Sequence, residues 1–79
     1  MNLEIITPEQ TLYVGEVELV KLPGTVGFFE IMKNHAPIIS TLVEGKIKVK
    51  EANGAIKYFE ISSGVVEMAN NEVKILVET

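Results

Sequence analysis

The sequence has 79 residues, of which seven are basic and eleven acidic, for a net charge of −4, with one histidine and no cysteine. So short a chain buries only about 60–65% of its unfolded surface around a single core, which leaves any function to its exterior and makes one domain over residues 1–79 the expectation. The lack of thiols excludes a disulfide frame and thiolate metal sites, the lone imidazole excludes a histidine cluster, and the acidic balance opposes the phosphate neutralisation that drives binding to nucleic acid or anionic membranes.

An apolar share of 47% with only 23% charged residues is the composition of a chain that folds. No apolar run approaches the roughly 20 residues of a membrane span. The start Met1-Asn2-Leu3-Glu4 lacks the basic-then-apolar layout of a secretion signal, so the cytoplasm is the expected compartment.

In chain order, Thr7-Pro8-Glu9-Gln10, Gly15, Pro23-Gly24 and Gly27 punctuate the first half. They isolate expected strands at 2–7, 11–14, 16–22, 28–32 and 38–43. Gly45 to Lys50 and Val73 to Glu78 alternate apolar and polar residues, the period of a pleated strand with one buried face. Ala55 to Ser62 and Gly64 to Ala69 are rich in Ile, Phe, Tyr and Val and read as strands as well. Asn53-Gly54 and Asn70-Asn71 suit two-residue hairpins of type I′, because both dipeptides tolerate positive φ. Apolar parity slips between Leu19 and Val20 and again between Tyr58 and Phe59, which predicts β-bulges or strands buried on both faces. No stretch reads as a helix. The expected fold is all-β, a two-sheet antiparallel sandwich or flattened barrel of about ten short strands.

Residues with catalytic chemistry are few. His35 is the only imidazole, in the turn-like stretch Asn34-His35-Ala36-Pro37, and nothing around it has the pattern of a nucleophile with its base. A local hydrogen bond is its expected role. The glycines form neither a dinucleotide fingerprint nor a phosphate loop, so no cofactor is expected. Glu16 and Glu18 lie two apart and would share one strand face, where such charges ordinarily serve solubility. Phe28 and Phe29 are adjacent in an expected strand, so one ring faces the core and the other outward, where it can mark a protein contact.

The ordered set Thr7-Pro8-Glu9-Gln10, Gly15-Glu16-Val17, Pro23-Gly24-Thr25, Gly27, Ile31, His35-Ala36-Pro37, Leu42, Gly45 and Ser63-Gly64 resembles the epsilon subunit of bacterial F-type ATP synthases. The resemblance spans the N-terminal β-sandwich of that family. It implies a non-catalytic rotor subunit at the foot of the central stalk, gripping the gamma subunit and resting on the ring of c subunits, peripheral to the cytoplasmic face of the inner membrane. Carried over by position, the gamma-facing residues are Thr7, His35 and Ser40, and the ring-facing turn is Val26, Gly27, Phe28 and Glu30. A carboxylate is common in the family where Val26 and Phe28 stand, and a glycine where Glu30 stands, so ring contact here is expected to be apolar at Phe28. The two helices that follow the sandwich in a typical member, with the nucleotide site some of them carry, have no counterpart within residues 1–79.

Two rival readings are weaker. Glu30-Ile31-Met32-Lys33 looks like the Met-Lys turn of biotinyl or lipoyl carrier domains, with Lys33 as attachment site, but Asn34-His35-Ala36-Pro37 follows where such carriers have an apolar or small residue. An oligonucleotide-binding barrel would need a basic groove interleaved with aromatic residues.

Overall fold

The computed structural model describes residues 1–79 and contains eight strands and no helix: β1 (Asn2–Ile6), β2 (Thr11–Gly24), β3 (Gly27–Met32), β4 (Ile38–Leu42), β5 (Gly45–Glu51), β6 (Ile56–Ile61), β7 (Ser63–Ala69) and β8 (Glu72–Glu78). The alternation read from the sequence sets which way each strand faces. In β8, Val73, Ile75 and Val77 point inward and Glu72, Lys74, Leu76 and Glu78 outward; in β5, Ile47 and Val49 are inward between outward lysines.

One layer runs β1-β8-β7-β4 and the other β3-β2-β5-β6. β1 and β8 are parallel, whereas every other pairing is antiparallel. The layers are joined by β2. Its first half pairs with β1, from Glu16 opposite Asn2 to Thr11 opposite Ile6, and its second half lies between β3 and β5. At its end Gly24 pairs with Leu42 of β4, so the path closes on itself as a flattened barrel. Sixteen buried apolar side chains fill the space between the layers.

The strand count is eight because 11–14 and 16–22 form a single strand. Gly15 does not break it. A Cβ on Gly15 would stand 2.8 Å from the Tyr13 hydroxyl, so the glycine serves close approach within a strand and marks no turn. Of the two parity slips, the one at Leu19 and Val20 marks a bulge just before it and the one at Tyr58 and Phe59 marks none. Glu18 is the unpaired residue between Val17 opposite Glu51 and Leu19 opposite Lys50, which turns Val17, Val20 and Leu22 all inward. Leu12 is the second, between Tyr13 opposite Ile5 and Thr11 opposite Ile6. At Tyr58 and Phe59 the β5–β6 register is unbroken; Phe59 packs on the core and Tyr58 simply points outward.

The hairpins divide likewise. Asn70 and Asn71 take φ of 53° and 61° between Ala69 and Glu72, the two-residue turn expected. Asn53-Gly54 does not. Gly54 alone has positive φ, 92°, and the bonds Gly54 N to Glu51 O and Glu51 N to Ala55 O, both 2.8 Å, close a longer loop with a glycine bulge.

Beside the Glu18 bulge, Tyr13 ties the two layers. Its hydroxyl donates to Glu51 Oε2 at 2.6 Å, Lys57 Nζ stands 3.6 Å from the same oxygen, and the ring meets Phe59 edge-on with centroids 5.8 Å apart. Burial, then the hydrogen bond to Glu51 and its negative charge, push the Tyr13 hydroxyl up to about 12.

Candidate functional site

Thr7, at the turn between β1 and β2, is buried and its polar atoms are used locally. Its Oγ1 accepts from Glu9 N at 3.2 Å and Gln10 N at 3.0 Å and donates to Gln10 O at 3.2 Å, so the hydroxyl holds the turn. His35 is exposed in the β3–β4 turn, with Nδ1 2.6 Å from the Ala36 carbonyl oxygen. That contact puts the proton on Nδ1. The turn is fixed by a clasp to the β7–β8 hairpin: Asn34 N donates to Asn71 Oδ1 at 2.7 Å and Asn71 Nδ2 to Asn34 Oδ1 at 3.2 Å. Ser40 is half-buried in β4 and donates to the Thr41 carbonyl at 3.3 Å.

These three residues share the β1-β8-β7-β4 layer without converging. Ser40 lies opposite Val66 in mid-strand, His35 stands at the Asn71 end, and Thr7 follows Ile6, whose partner Leu76 is near the other end. The outward positions of the layer carry more chemistry than the three residues themselves. Thr41, Val65, Leu76 and Ile6 fall in one row across four strands, and Ile39 stands in the next row, 74% exposed. A signal for this row stands in the sequence itself. Four strands each contain an aliphatic doublet, Ile5-Ile6, Ile38-Ile39, Val65-Val66 and Ile75-Leu76, and a doublet in an alternating strand sends one side chain inward and one out.

Val26, Gly27, Phe28 and Glu30 form the tip and outer side of the β2–β3 hairpin. Phe29 turns inward against the core, as adjacency requires, and Phe28 outward, with Lys21 Nζ 5.3 Å from its ring centre. Val26 is wholly exposed, and the neighbouring Val43, whose N–H donates to Pro23 O at 2.9 Å, extends the apolar tip. Glu30 is exposed opposite Lys21, more than 4 Å from any ammonium.

Glu16 and Glu18 do not act as a pair. Glu16 meets the Met1 amine at 2.9 Å and Glu18, at the bulge, meets Lys50 at 3.4 Å. No group of three His, Cys, Asp or Glu side chains converges as metal ligands would, and the surface depressions are open grooves along the sheets.

The model for the beta-sandwich domain of the ATP synthase Delta/Epsilon chain matches residues 1–79. The chain belongs to this family. It is 37% identical over 78 residues to the ATP synthase epsilon chain of Caulobacter vibrioides, covering 99% of this chain and 90% of that one. It is also 37% identical to the epsilon chain of Leptospira borgpetersenii and 39% identical to that of Syntrophomonas wolfei, covering 99% and 98% of this chain but 61% and 56% of those relatives. The chain thus spans little more than half the length of these two. In fold it is similar to a chain of the mitochondrial ATP synthase of Euglena gracilis, with TM-score 0.88 and 16% identity over 98% of this chain and 49% of that one. A chain of the Tetrahymena thermophila central stalk and c-ring structure gives TM-score 0.82 and 19% identity, covering 100% of this chain and 63% of that one. Lys33 is exposed in a turn, as carrier chemistry would require, but the epsilon family is a different one.

Proposed function

We propose that this epsilon-family sandwich works as one domain in the central stalk of a rotary F-type ATP synthase. There it docks on gamma and on the c ring and couples ion-driven rotation to ATP synthesis on other chains. It is non-catalytic, binds no cofactor, and is held peripherally at the cytoplasmic face of the bacterial inner membrane through its partner subunits. The observation that carries this reading is the family match over residues 1–79.

The geometry supports an assignment of sides. Thr7, His35 and Ser40 lie on the β1-β8-β7-β4 layer, whose outer face offers gamma the aliphatic row of Ile6, Val65 and Leu76. Thr7 and the Asn34–Asn71 clasp set the shape of its two ends, and His35 supplies a polar contact at one of them. The apolar hairpin tip of Val26, Gly27 and Phe28, with Glu30 beside it, faces the ring. Closure of the two layers through β2 suits a part that transmits torque, because shear must break interstrand hydrogen bonds on both sides at once.

Co-purification with a gamma subunit tests the assignment: stable association at micromolar concentration is expected, and its absence would overturn it. Phe28→Asp separates the two contacts. It is expected to weaken assembly on the c ring by up to about 1.5–3 kcal/mol while the isolated fold and gamma binding persist, since the ring loses its apolar burial only in the complex. Unchanged ring assembly would remove Phe28 from the contact.

A further inference from the structure

We propose that the outer face of the β3-β2-β5-β6 layer is a second docking surface, centred on Lys21 and Lys48, for a carboxylate-bearing segment of a partner protein. Register places Glu30, Lys21, Lys48 and Tyr58 in one row across the four strands. Lys21 and Lys48 are therefore direct cross-strand neighbours on one face, an arrangement that destabilises a sheet. The offset is partial: Glu30 is the other cross-strand neighbour of Lys21 and Lys21 Nζ lies 5.3 Å from the Phe28 ring centre, but no carboxylate stands within 4 Å of either ammonium, and Lys48 has Tyr58 on its far side; the ion pairs of the chain are Met1–Glu16, Lys50–Glu18 and Lys57–Glu51. An anion from outside would relieve the part of the repulsion that remains, most of all at Lys48.

Lys46 and Lys50 flank Lys48 on the same side of β5, so four of the seven basic residues share this face of a chain whose net charge is −4. Lys21 and Lys48 are half-buried, with aliphatic stems along the sheet that carry the ammonium groups to water. Phe28 and Tyr58, each 60% exposed, frame the row, and Met32, Leu19 and Ile56 stand in the adjacent row around Lys50. The exposed aromatic and methionine side chains beside the lysines are of the types enriched at protein interfaces. Lysine ammonium groups act as point charges suited to single carboxylates. Glu18, Glu30 and Glu60 along the margins, with the net negative charge, disfavour a polyphosphate chain or an anionic bilayer. Apart from Phe28 and Glu30, none of these residues belongs to the contacts proposed with gamma and the ring, so this inference can fail while that reading stands, and the reverse.

The test is an NMR titration of the isotope-labelled chain with a hexaglutamate peptide. It is run at low ionic strength and at about 1 M salt, where the screening length falls to about 3 Å. The expected result is saturable shifts centred on Lys21, Lys48 and Tyr58 that vanish in high salt. The double variant Lys21→Gln with Lys48→Gln is expected to bind at least about tenfold more weakly. Its urea midpoint is expected to rise, because the repulsion is gone from the free chain; a purely structural role for the lysines predicts a fall. The proposal is overturned by shifts of equal size at Lys33, Lys57 and Lys74, by unchanged affinity in the variant, or by a lowered midpoint. It is likewise overturned if an oligothymidylate strand or phosphatidylglycerol vesicles occupy this face in preference to the peptide.

Discussion

The two outer faces of the sandwich cover the same core with the same alternation, yet they differ in chemistry: one sets an aliphatic row beside mixed charges such as Glu67 and Lys74, the other gathers lysines. The β1-β8-β7-β4 face presents Ile6, Ile39, Val65 and Leu76, whereas the β3-β2-β5-β6 face presents Lys21, Lys46, Lys48 and Lys50 between two exposed aromatic rings. Inward positions have little choice, since Ile75, Val66, Ile47 and Val49 fill one close-packed interior. Outward positions are free of that constraint, so chemistry that folding does not require collects there. Aliphatic side chains at four outward positions and a pair of lysines facing each other across strands are both of that kind.

The contrast between inward and outward sites is largest within one pair of neighbours. Ile75→Ala is expected to cost about 2–5 kcal/mol in urea unfolding, because it empties a fully buried site at the centre of the β1-β8-β7 triplet. Leu76→Ala, one residue on, is expected to cost less than about 1 kcal/mol, since only part of its surface is buried. Similar losses at the two positions would mean that the aliphatic row is part of the core and no separate surface.

A smaller effect probes the junction between the layers. Tyr13→Phe removes the hydroxyl that Glu51 accepts from and is expected to cost about 0.5–1.5 kcal/mol near neutral pH. The cost should depend on pH in a definite direction. With the folded-state pKa raised from 10.0 to about 12, the protonated hydroxyl is favoured by folding, so its contribution is whole below pH 10 and is lost as pH rises toward 12. The stabilities of the parent chain and the variant should therefore converge across that window, and a gap that persisted would remove the hydroxyl from the junction. The smallest effect has the opposite sign. Lys48→Gln is expected to stabilise the free chain by about 0.2–1 kcal/mol by ending its repulsion with Lys21, a gain that added salt should shrink.

Legibility in the sequence followed the same division. Strands β5 and β8 declared themselves through alternation, and the Asn70-Asn71 turn through side chains that tolerate positive φ. Gly15 misled because a glycine that admits a neighbouring tyrosine looks, in one dimension, like a glycine that turns the chain. The residues resembling family contacts were visible as a spaced set, but Thr7 proved to be buried and bonded within its own turn. The outer faces were half legible. Aliphatic doublets and the alternating Lys46, Lys48 and Lys50 stand in the sequence, whereas the alignment of Leu76 with Val65, or of Lys21 with Lys48, depends on register. Register passes through the bulges at Leu12 and Glu18, which shift side chains from one face to the other; the second left a trace in the parity slip at Leu19 and Val20, the first left none.

The lack of cysteine allows the assignment of faces to be measured directly. Leu76→Cys and Tyr58→Cys each place one thiol on one outer face, and its rate of maleimide labelling can be followed with and without gamma. Gamma is expected to slow labelling at position 76 and to leave position 58 as reactive as in the free chain. Protection at 58 with free access at 76 would reverse the assignment of faces.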